Sequence, residues 1–166
     1  MTETVVRTPH AWRPGRFMVI VAHPDDADFG PAGTAARWID AGSVGWLVCC
    51  TSGDQGGEDP DADPLELAAL RETEQRAAAA VVGYAGVSFL HQPDGALAND
   101  LPLRELLVRE IRTFRPDAVF ATDPALSAAL EAAGATTGET LWPMPRAQTY
   151  RRALDSDVAD VAHIAP

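Results

Sequence analysis

The chain alternates four short apolar runs with amphipathic segments, and this order permits few folds. The first run, Phe17 to Ala22, contains β-branched residues and ends abruptly at His23-Pro24. An uninterrupted apolar run of this kind is typical of a strand that is buried on both faces of a parallel sheet. Proline cannot donate a hydrogen bond to a neighbouring strand, so we expect the strand to stop there.

Three more strands are predicted, with helices between them. We predict the strands at 44–51, 87–90 and 118–121, and the helices at 33–41, 64–82 and 103–114. This alternation indicates an α/β fold, a Rossmann-like parallel sheet with helices on both faces. Functional sites in such folds lie beyond the carboxyl ends of the strands. The fold therefore brings three polar loops to one rim: 23–28, 51–59 and 91–95.

The length of 166 residues suggests a single domain, and the formal net charge is −11. Nucleic acids and anionic membranes need clustered lysine and arginine, so neither is an expected partner. No apolar run approaches the roughly 20 residues that span a bilayer, and residues 1–16 lack the apolar centre of a secretory signal. We therefore expect a soluble, cytoplasmic protein.

The loop after the first strand holds a candidate metal site. His23 and Asp26 are three residues apart, and an imidazole and a carboxylate at this separation can turn toward one zinc ion. Asp25 lies between them and could take a proton from a water that zinc acidifies. The spacing also occurs among ordinary surface residues. However, Asp25, Asp26 and Asp28 would repel one another without a cation or hydrogen bonds.

Two other kinds of site are disfavoured by the sequence. Gly30 and Gly33 come too late after the first strand for the G-x-G-x-x-G turn of a dinucleotide site. Cys49 and Cys50 are adjacent in a predicted strand, so their side chains point to opposite faces of the sheet. We expect both cysteines to be structural residues rather than nucleophiles or metal ligands.

Six segments in order resemble the LmbE-like (PIG-L) deacetylase family. These segments are Val21–Gly30, Ala32–Trp38, Thr51–Gly57, Leu70–Ala79, Phe89–Gly95 and Arg115–Phe120. The resemblance implies a zinc-dependent N-deacetylase. Such an enzyme hydrolyses the amide of an N-acyl amino sugar or a related small N-acyl compound.

The resemblance also implies roles for individual residues. By it, His23 and Asp26 would bind the zinc ion, and Asp25 would be the general base. Arg71 and Asp94 would line the pocket of the small N-acyl substrate.

The chain departs from the family pattern after the fourth predicted strand. In the family that it resembles, the third metal ligand comes from a later His-Pro-Asp-His segment, and this chain has no such segment. An active enzyme would need a substitute. The candidates are His91, at the end of the third predicted strand, and His163, near the end of the chain.

The last part of the chain resembles a different family. Asp123–Leu130, Gly138–Pro145, Tyr150 and Ser156–Asp160 are similar to a stretch of the leucyl aminopeptidase catalytic domain. The metal-binding and catalytic motifs of that family are absent, so no peptidase role is implied. We therefore divide the chain into a deacetylase-like domain, residues 1–124, and an aminopeptidase-like tail segment, residues 125–166.

The sequence leaves two functions open. The first is a zinc-dependent N-deacetylase with a substitute third ligand. The alternative is a catalytically inactive remnant or chimera of that fold, C-terminally truncated or altered, which serves as an interaction module. Whether the chain is an enzyme therefore depends on the third ligand.

Overall fold

The computed structural model describes residues 13–57 and 61–121, Leu126, Leu130 and two strands at 136–137 and 148–151. Its elements are β1 (Arg16–Val21), α1 (Asp26–Phe29), α2 (Ala32–Asp40), β2 (Val44–Cys49), α3 (Pro64–Val82), β3 (Gly86–Phe89), α4 (Leu101–Phe114), β4 (Ala118–Ala121), β5 (Thr136–Thr137) and β6 (Gln148–Arg151). The predictions that concern His163 and most of residues 125–166 lie outside the described residues.

The strands form one sheet in the order β3-β2-β1-β4-β6-β5. β1 pairs in parallel with β2 and β4, and β2 pairs in parallel with β3. β6 pairs antiparallel with β4, and β5 pairs antiparallel with β6. The predicted parallel α/β sheet is confirmed for β1 to β4. The two antiparallel strands were not predicted.

Helices cover both faces of the sheet, as the sequence predicts. On one face, β1 side chains pack with residues of α1, α2 and α3: Phe17, Val19, Val21, Ala27, Trp38 and Ala79. On the other face, they pack with α4 and two more leucines: Met18, Ile20, Leu103, Leu107, Leu126 and Leu130. Because β1 is buried on both sides, its sequence is apolar at every position from 17 to 21. No helix in the described part of the chain is long and apolar enough to cross a membrane.

The two long helices begin at aspartate caps, and α3 also ends at a glycine. Asp63 accepts a hydrogen bond from the backbone N–H of Leu65 at 2.9 Å at the start of α3. Gly83 ends α3 in the left-handed conformation, with φ of 95°. Asp100 caps α4 in the same way, through the N–H of Leu103 at 3.0 Å. These caps satisfy backbone groups that a helix leaves unpaired at its ends.

The adjacent cysteines occupy opposite faces of the sheet, as predicted. Cys49 belongs to the core beneath α2 and α3, and Cys50 belongs to the core beneath α4. Burial, together with nearby carboxylates such as Asp26, raises the pKa of the Cys49 thiol to about 12. A thiol that remains protonated is a poor nucleophile and a poor metal ligand.

Candidate metal and catalytic site

The first polar loop lies where the strand order changes direction. β1 has β2 on one side and β4 on the other, so a crevice forms beyond its carboxyl end. His23 follows the last residue of β1 by only two positions. The Thr51 hydroxyl donates to the carbonyl of Ala22 at 3.0 Å, which joins the loops after β1 and β2. The fold therefore places the predicted motif at the usual position of a ligand site.

His23 and Asp26 are brought together by a short helical turn. The sequence predicts a loop from 23 to 28, but residues 26–29 form α1. The Asp26 carboxylate accepts from the His23 backbone N–H at 3.0 Å. His23 Nδ1 and Asp26 Oδ2 are 3.5 Å apart, and the side chains are 41% and 34% exposed. Two tetrahedral zinc ligands at about 2.0–2.1 Å lie roughly 3.3–3.4 Å apart, so this pair of atoms suits one shared ion.

Asp25 adopts a conformation that is uncommon for a residue with a side chain. Its φ is 81°, and it immediately precedes α1. Such a conformation costs about 1–3 kcal/mol and persists where the surroundings impose it. Arg71 contributes by donating through Nη2 to Asp25 Oδ2 at 3.0 Å and to the Pro24 carbonyl at 3.2 Å. Its Nη1 donates to the Gly53 carbonyl at 3.0 Å, so one guanidinium links two loops.

Gln75 is a site residue that the sequence analysis missed. It lies on α3 and is only 2% exposed. Its amide oxygen accepts a short hydrogen bond from the Asp25 N–H, and its amide nitrogen donates to Asp28 Oδ2 at 3.4 Å. Burial raises the pKa of Asp28, the Gln75 bond opposes this rise, and the charge of Asp25 adds to it. No local pattern marks this position, because Leu65, Leu70 and Val81 of α3 are exposed and do not identify the buried face of the helix.

Asp94 reaches the same loop from the end of β3. Its Oδ1 lies 2.9 Å from His23 Nε2, and its side chain is only 7% exposed. The two oxygens also accept backbone hydrogen bonds, from Gly95 at 2.8 Å and from Gln55 at 3.0 Å. Asp94 therefore connects the loops after β1, β2 and β3. We call the residues around this loop the first-loop cluster: His23, Asp25, Asp26, Arg71 and Asp94.

A second polar group lies at the ends of β2 and β3. Its members form the β2–β3 cluster: Ser52, Glu72, Arg76 and His91. The Ser52 hydroxyl donates to Glu72 Oε1 at 2.7 Å and lies 3.2 Å from His91 Nδ1. His91 Nδ1 is 3.3 Å from the same Glu72 oxygen, and Arg76 donates to the other oxygen at 2.8 Å. The sequence analysis named only His91 of these four.

Glu72 is stabilised as a carboxylate by its neighbours. Burial favours its neutral form, but hydrogen bonds from Ser52 and Arg76 and the nearby charges of His91 and Arg76 outweigh this effect. The pKa of Glu72 is therefore lowered. The Arg76 guanidinium also stacks 4.7 Å from the centre of the Phe89 ring. The cluster thus ties α3 to the rim of the sheet.

The described residues do not supply a third metal ligand. They contain no group of three or more histidine, cysteine, aspartate or glutamate side chains that is placed to hold one ion. His91, a candidate from the sequence, contacts Ser52 and Glu72 instead of joining His23 and Asp26. His163, the other candidate, lies outside the described residues.

Comparison with known proteins assigns the chain to a family. Residues 18–130, more than half of the chain, match the family described as GlcNAc-PI de-N-acetylase (PIG-L). The chain belongs to the PIG-L family. The resemblance that was stated from the six sequence segments is thus confirmed.

Individual PIG-L relatives are deacetylases. The diacetylchitobiose deacetylase of Thermococcus kodakarensis is 31% identical over 109 residues, 66% of this chain and 41% of that protein. The 1D-myo-inositol 2-acetamido-2-deoxy-alpha-D-glucopyranoside deacetylase of Kineococcus radiotolerans is 36% identical over 92 residues, 53% of this chain and 26% of that protein. Among solved structures, the inhibitor-bound N,N'-diacetylchitobiose deacetylase of Pyrococcus horikoshii matches with a TM-score of 0.62 and 31% identity. That match covers 64% of this chain and 40% of that one. The chain therefore spans less than half the length of each.

The end of the chain is similar to a second family. Residues 114–166 match the catalytic domain of the cytosol aminopeptidase family. This match begins inside α4 and overlaps the PIG-L match as far as residue 130. The predicted resemblance of the tail to aminopeptidases is confirmed, while the division at residue 124 stays a prediction.

Proposed function

We propose that this PIG-L chain is a zinc-dependent N-deacetylase domain that hydrolyses the amide of an N-acyl amino sugar or a related small N-acyl compound. The observation that carries the proposal is the 3.5 Å separation between His23 Nδ1 and Asp26 Oδ2 at the end of the central strand. The names of the Thermococcus kodakarensis and Kineococcus radiotolerans deacetylases are those of enzymes for acetamido sugars, which supports the substrate class.

In this proposal His23 and Asp26 hold the zinc ion. Zinc, when bound, supplies a Lewis acid for the amide carbonyl and lowers the pKa of water. The protein groups around the ion then hold the proposed base and border the substrate pocket.

Asp25 is the proposed general base. Its Oδ2 is held by Arg71 and its backbone N–H by Gln75, so the carboxylate has a defined position beside the metal ligands. The side chain is 54% exposed, which leaves it accessible to water. It accepts the proton of the attacking water as the carbon–oxygen bond forms, and it returns the proton to the nitrogen as the carbon–nitrogen bond breaks. Arg71 borders the pocket and keeps Asp25 in place.

A second candidate function is a zinc-free, catalytically inactive domain that serves as an interaction module. The observation that favours it is the lack of a three-ligand group among the described residues, since catalytic zinc sites normally use three protein ligands. The two proposals differ in whether the purified protein binds zinc tightly and releases acetate.

The test is a zinc titration of the full chain, with His23→Ala as the variant and His91→Ala as the matched control. The deacetylase proposal expects tight zinc binding that His23→Ala weakens by about 10³-fold and that His91→Ala leaves within about threefold, because His91 belongs to the β2–β3 cluster. Acetate release from an N-acetylglucosaminide should follow the same pattern. Equal, weak zinc binding by all three proteins, with no acetate released, would support the inactive domain.

A further inference from the structure

Asp94 has a packing that differs from that of an ordinary surface carboxylate. Only 7% of its side chain is exposed, and both oxygens face donors of the protein itself. Oδ1 faces His23 Nε2 and the N–H of Gly95, and Oδ2 faces the N–H of Gln55. The sequence resemblance implied a substrate contact for Asp94. Three protein donors face the oxygens that would make such a contact.

The imidazole of His23 separates the two carboxylates that it contacts. Asp26 lies 3.5 Å from Nδ1, and Asp94 lies 2.9 Å from Nε2. The two nitrogens point away from each other across the ring, so an ion at Nδ1 lies away from Asp94. This geometry excludes Asp94 as a third ligand of an ion shared with Asp26. It leaves Asp94 in the position of a carboxylate that supports a metal-binding histidine from the far side of the ring.

We infer that Asp94 is a positioning residue for His23. By accepting from Nε2–H, it selects the tautomer that has its lone pair on Nδ1, and it holds the ring so that this lone pair faces the ion beside Asp26. The inference rests on the proposed function, because it assigns Nδ1 of His23 to the metal.

The same contacts also make Asp94 a link between three loops. It joins the loop after β3 to the loops after β1 and β2, through His23 and Gln55 respectively. Removing the side chain therefore both frees the His23 ring and loosens the Gln55 loop. A useful experiment must separate these two effects.

Asp94→Asn provides this separation. An asparagine with its carbonyl oxygen in the Oδ1 position still accepts from His23 and Gly95, while its NH₂ group faces the Gln55 N–H and cannot accept from it. Asp94→Ala loses all three contacts. Asp54→Ala is the control for the loss of a negative charge. Asp54 lies next to Gln55 in the loop after β2, and its carboxylate contacts the Gln55 side chain at 3.3 Å.

The experiment measures zinc affinity of the full chain by competition with a chelator. We expect Asp94→Ala to weaken zinc binding by about 10- to 100-fold, Asp94→Asn to fall between it and the original protein, and Asp54→Ala to change it by less than about threefold. Circular dichroism of each zinc-free variant checks that the fold is intact. Zinc affinity unchanged in Asp94→Ala, with a raised KM for the N-acetyl sugar, would overturn the inference and restore the substrate role.

A second readout needs no metal. In the zinc-free protein, ¹⁵N chemical shifts report which ring nitrogen of His23 carries a proton. We expect His23 to be protonated on Nε2 in the original protein and in Asp94→Asn, and to become a mixture of tautomers in Asp94→Ala. An unchanged tautomer in Asp94→Ala would overturn the inference. If the original protein binds no zinc but the tautomer shifts as expected, the proposed function fails while the orienting contact stands.

Discussion

The first-loop cluster and the β2–β3 cluster share one rim of the sheet, but they are built differently. In the first, Asp25 is held in an uncommon backbone conformation, and His23, Asp25 and Asp26 remain substantially exposed. In the second, Glu72 is only 14% exposed and its two oxygens contact Ser52, His91 and Arg76, while the Arg76 and His91 side chains are 54% and 68% exposed around it. Exposed groups that others hold in place are suited to bind a ligand. A mostly covered carboxylate whose oxygens meet protein donors is suited to attach a helix to a sheet.

The largest expected difference between the clusters is in catalysis. Asp25→Ala removes the proposed base, so we expect kcat for acetate release to fall by about 10²–10⁴-fold while zinc affinity stays within a few-fold. Ser52→Ala removes the hydroxyl donor of the other cluster and should lower kcat by less than about threefold. Steady-state kinetics with an N-acetylglucosaminide measures both. Equal losses of kcat in the two variants would mean that catalysis does not depend on the first-loop cluster more than on the β2–β3 cluster.

The next effect concerns the space that Arg71 occupies. Gly53 has a φ of +69°, and a Cβ added there would overlap the Arg71 guanidinium. We expect Gly53→Ala to lower the free energy of unfolding by roughly 2–4 kcal/mol, from backbone strain and displacement of the guanidinium together. Gly42→Ala is the control, because φ is +95° there and the nearest atom would be an ordinary 3.8 Å away.

Urea unfolding of these two glycine variants separates strain from overlap. Gly42→Ala should cost roughly 1 kcal/mol from the backbone alone. A loss in Gly53→Ala no larger than this would show that Arg71 moves aside without cost, and that the first-loop cluster is less firmly held than its contacts indicate.

Arginine-to-lysine substitutions test the clusters against each other. Arg71 uses both terminal nitrogens on three oxygen acceptors, a pattern that a single ammonium group cannot reproduce. We expect Arg71→Lys to lower kcat/KM by about tenfold, because Asp25 loses its fixed position. Arg76→Lys keeps a charge beside Glu72 and should change kcat/KM by less than about twofold. The reverse order of effects would assign the catalytic role to the β2–β3 cluster.

The smallest effect is a pH dependence from Glu72. Its pKa in the folded protein lies below the ordinary value of 4.5, so it contributes stability that is present above pH 4.5 and is lost as pH falls through the folded pKa. Chemical unfolding between about pH 6 and pH 3 should show the original protein losing about 1 kcal/mol more than Glu72→Gln. Parallel stability curves for the two proteins would show that the β2–β3 cluster adds little to folding.

The sequence predicts secondary-structure elements well where capping residues or continuous burial determine their bounds. Pro64–Val82 is a helix with the predicted bounds because Asp63 caps its start and Gly83 caps its end. Ala118–Ala121 is likewise a strand as predicted, since every position is buried. β5 and β6 were missed, because β5 has only two residues and the four residues of β6, Gln148–Arg151, contain no apolar run.

The candidate site could be predicted only in part. The residues of the first motif are close in sequence, so the proximity of His23 to Asp26 followed directly from their spacing. The contacts of Gln75 and Asp94 with that loop depend on how α3 and the end of β3 pack, which no local pattern encodes. His91 was expected on the right rim, but the sequence did not show that Glu72 and Ser52 would hold it.

Leu126 and Leu130 bear on how this protein can be divided for experiment. Both are fully buried, and they complete the core formed by Met18, Ile20 and Leu107. A recombinant fragment cut after residue 124 would leave that hydrophobic surface open to water, at a cost of about 1.5–3 kcal/mol for each leucine. Fragments for expression should therefore extend to residue 130 at least. Such a fragment includes the first residues of the aminopeptidase-like match, which begins at residue 114.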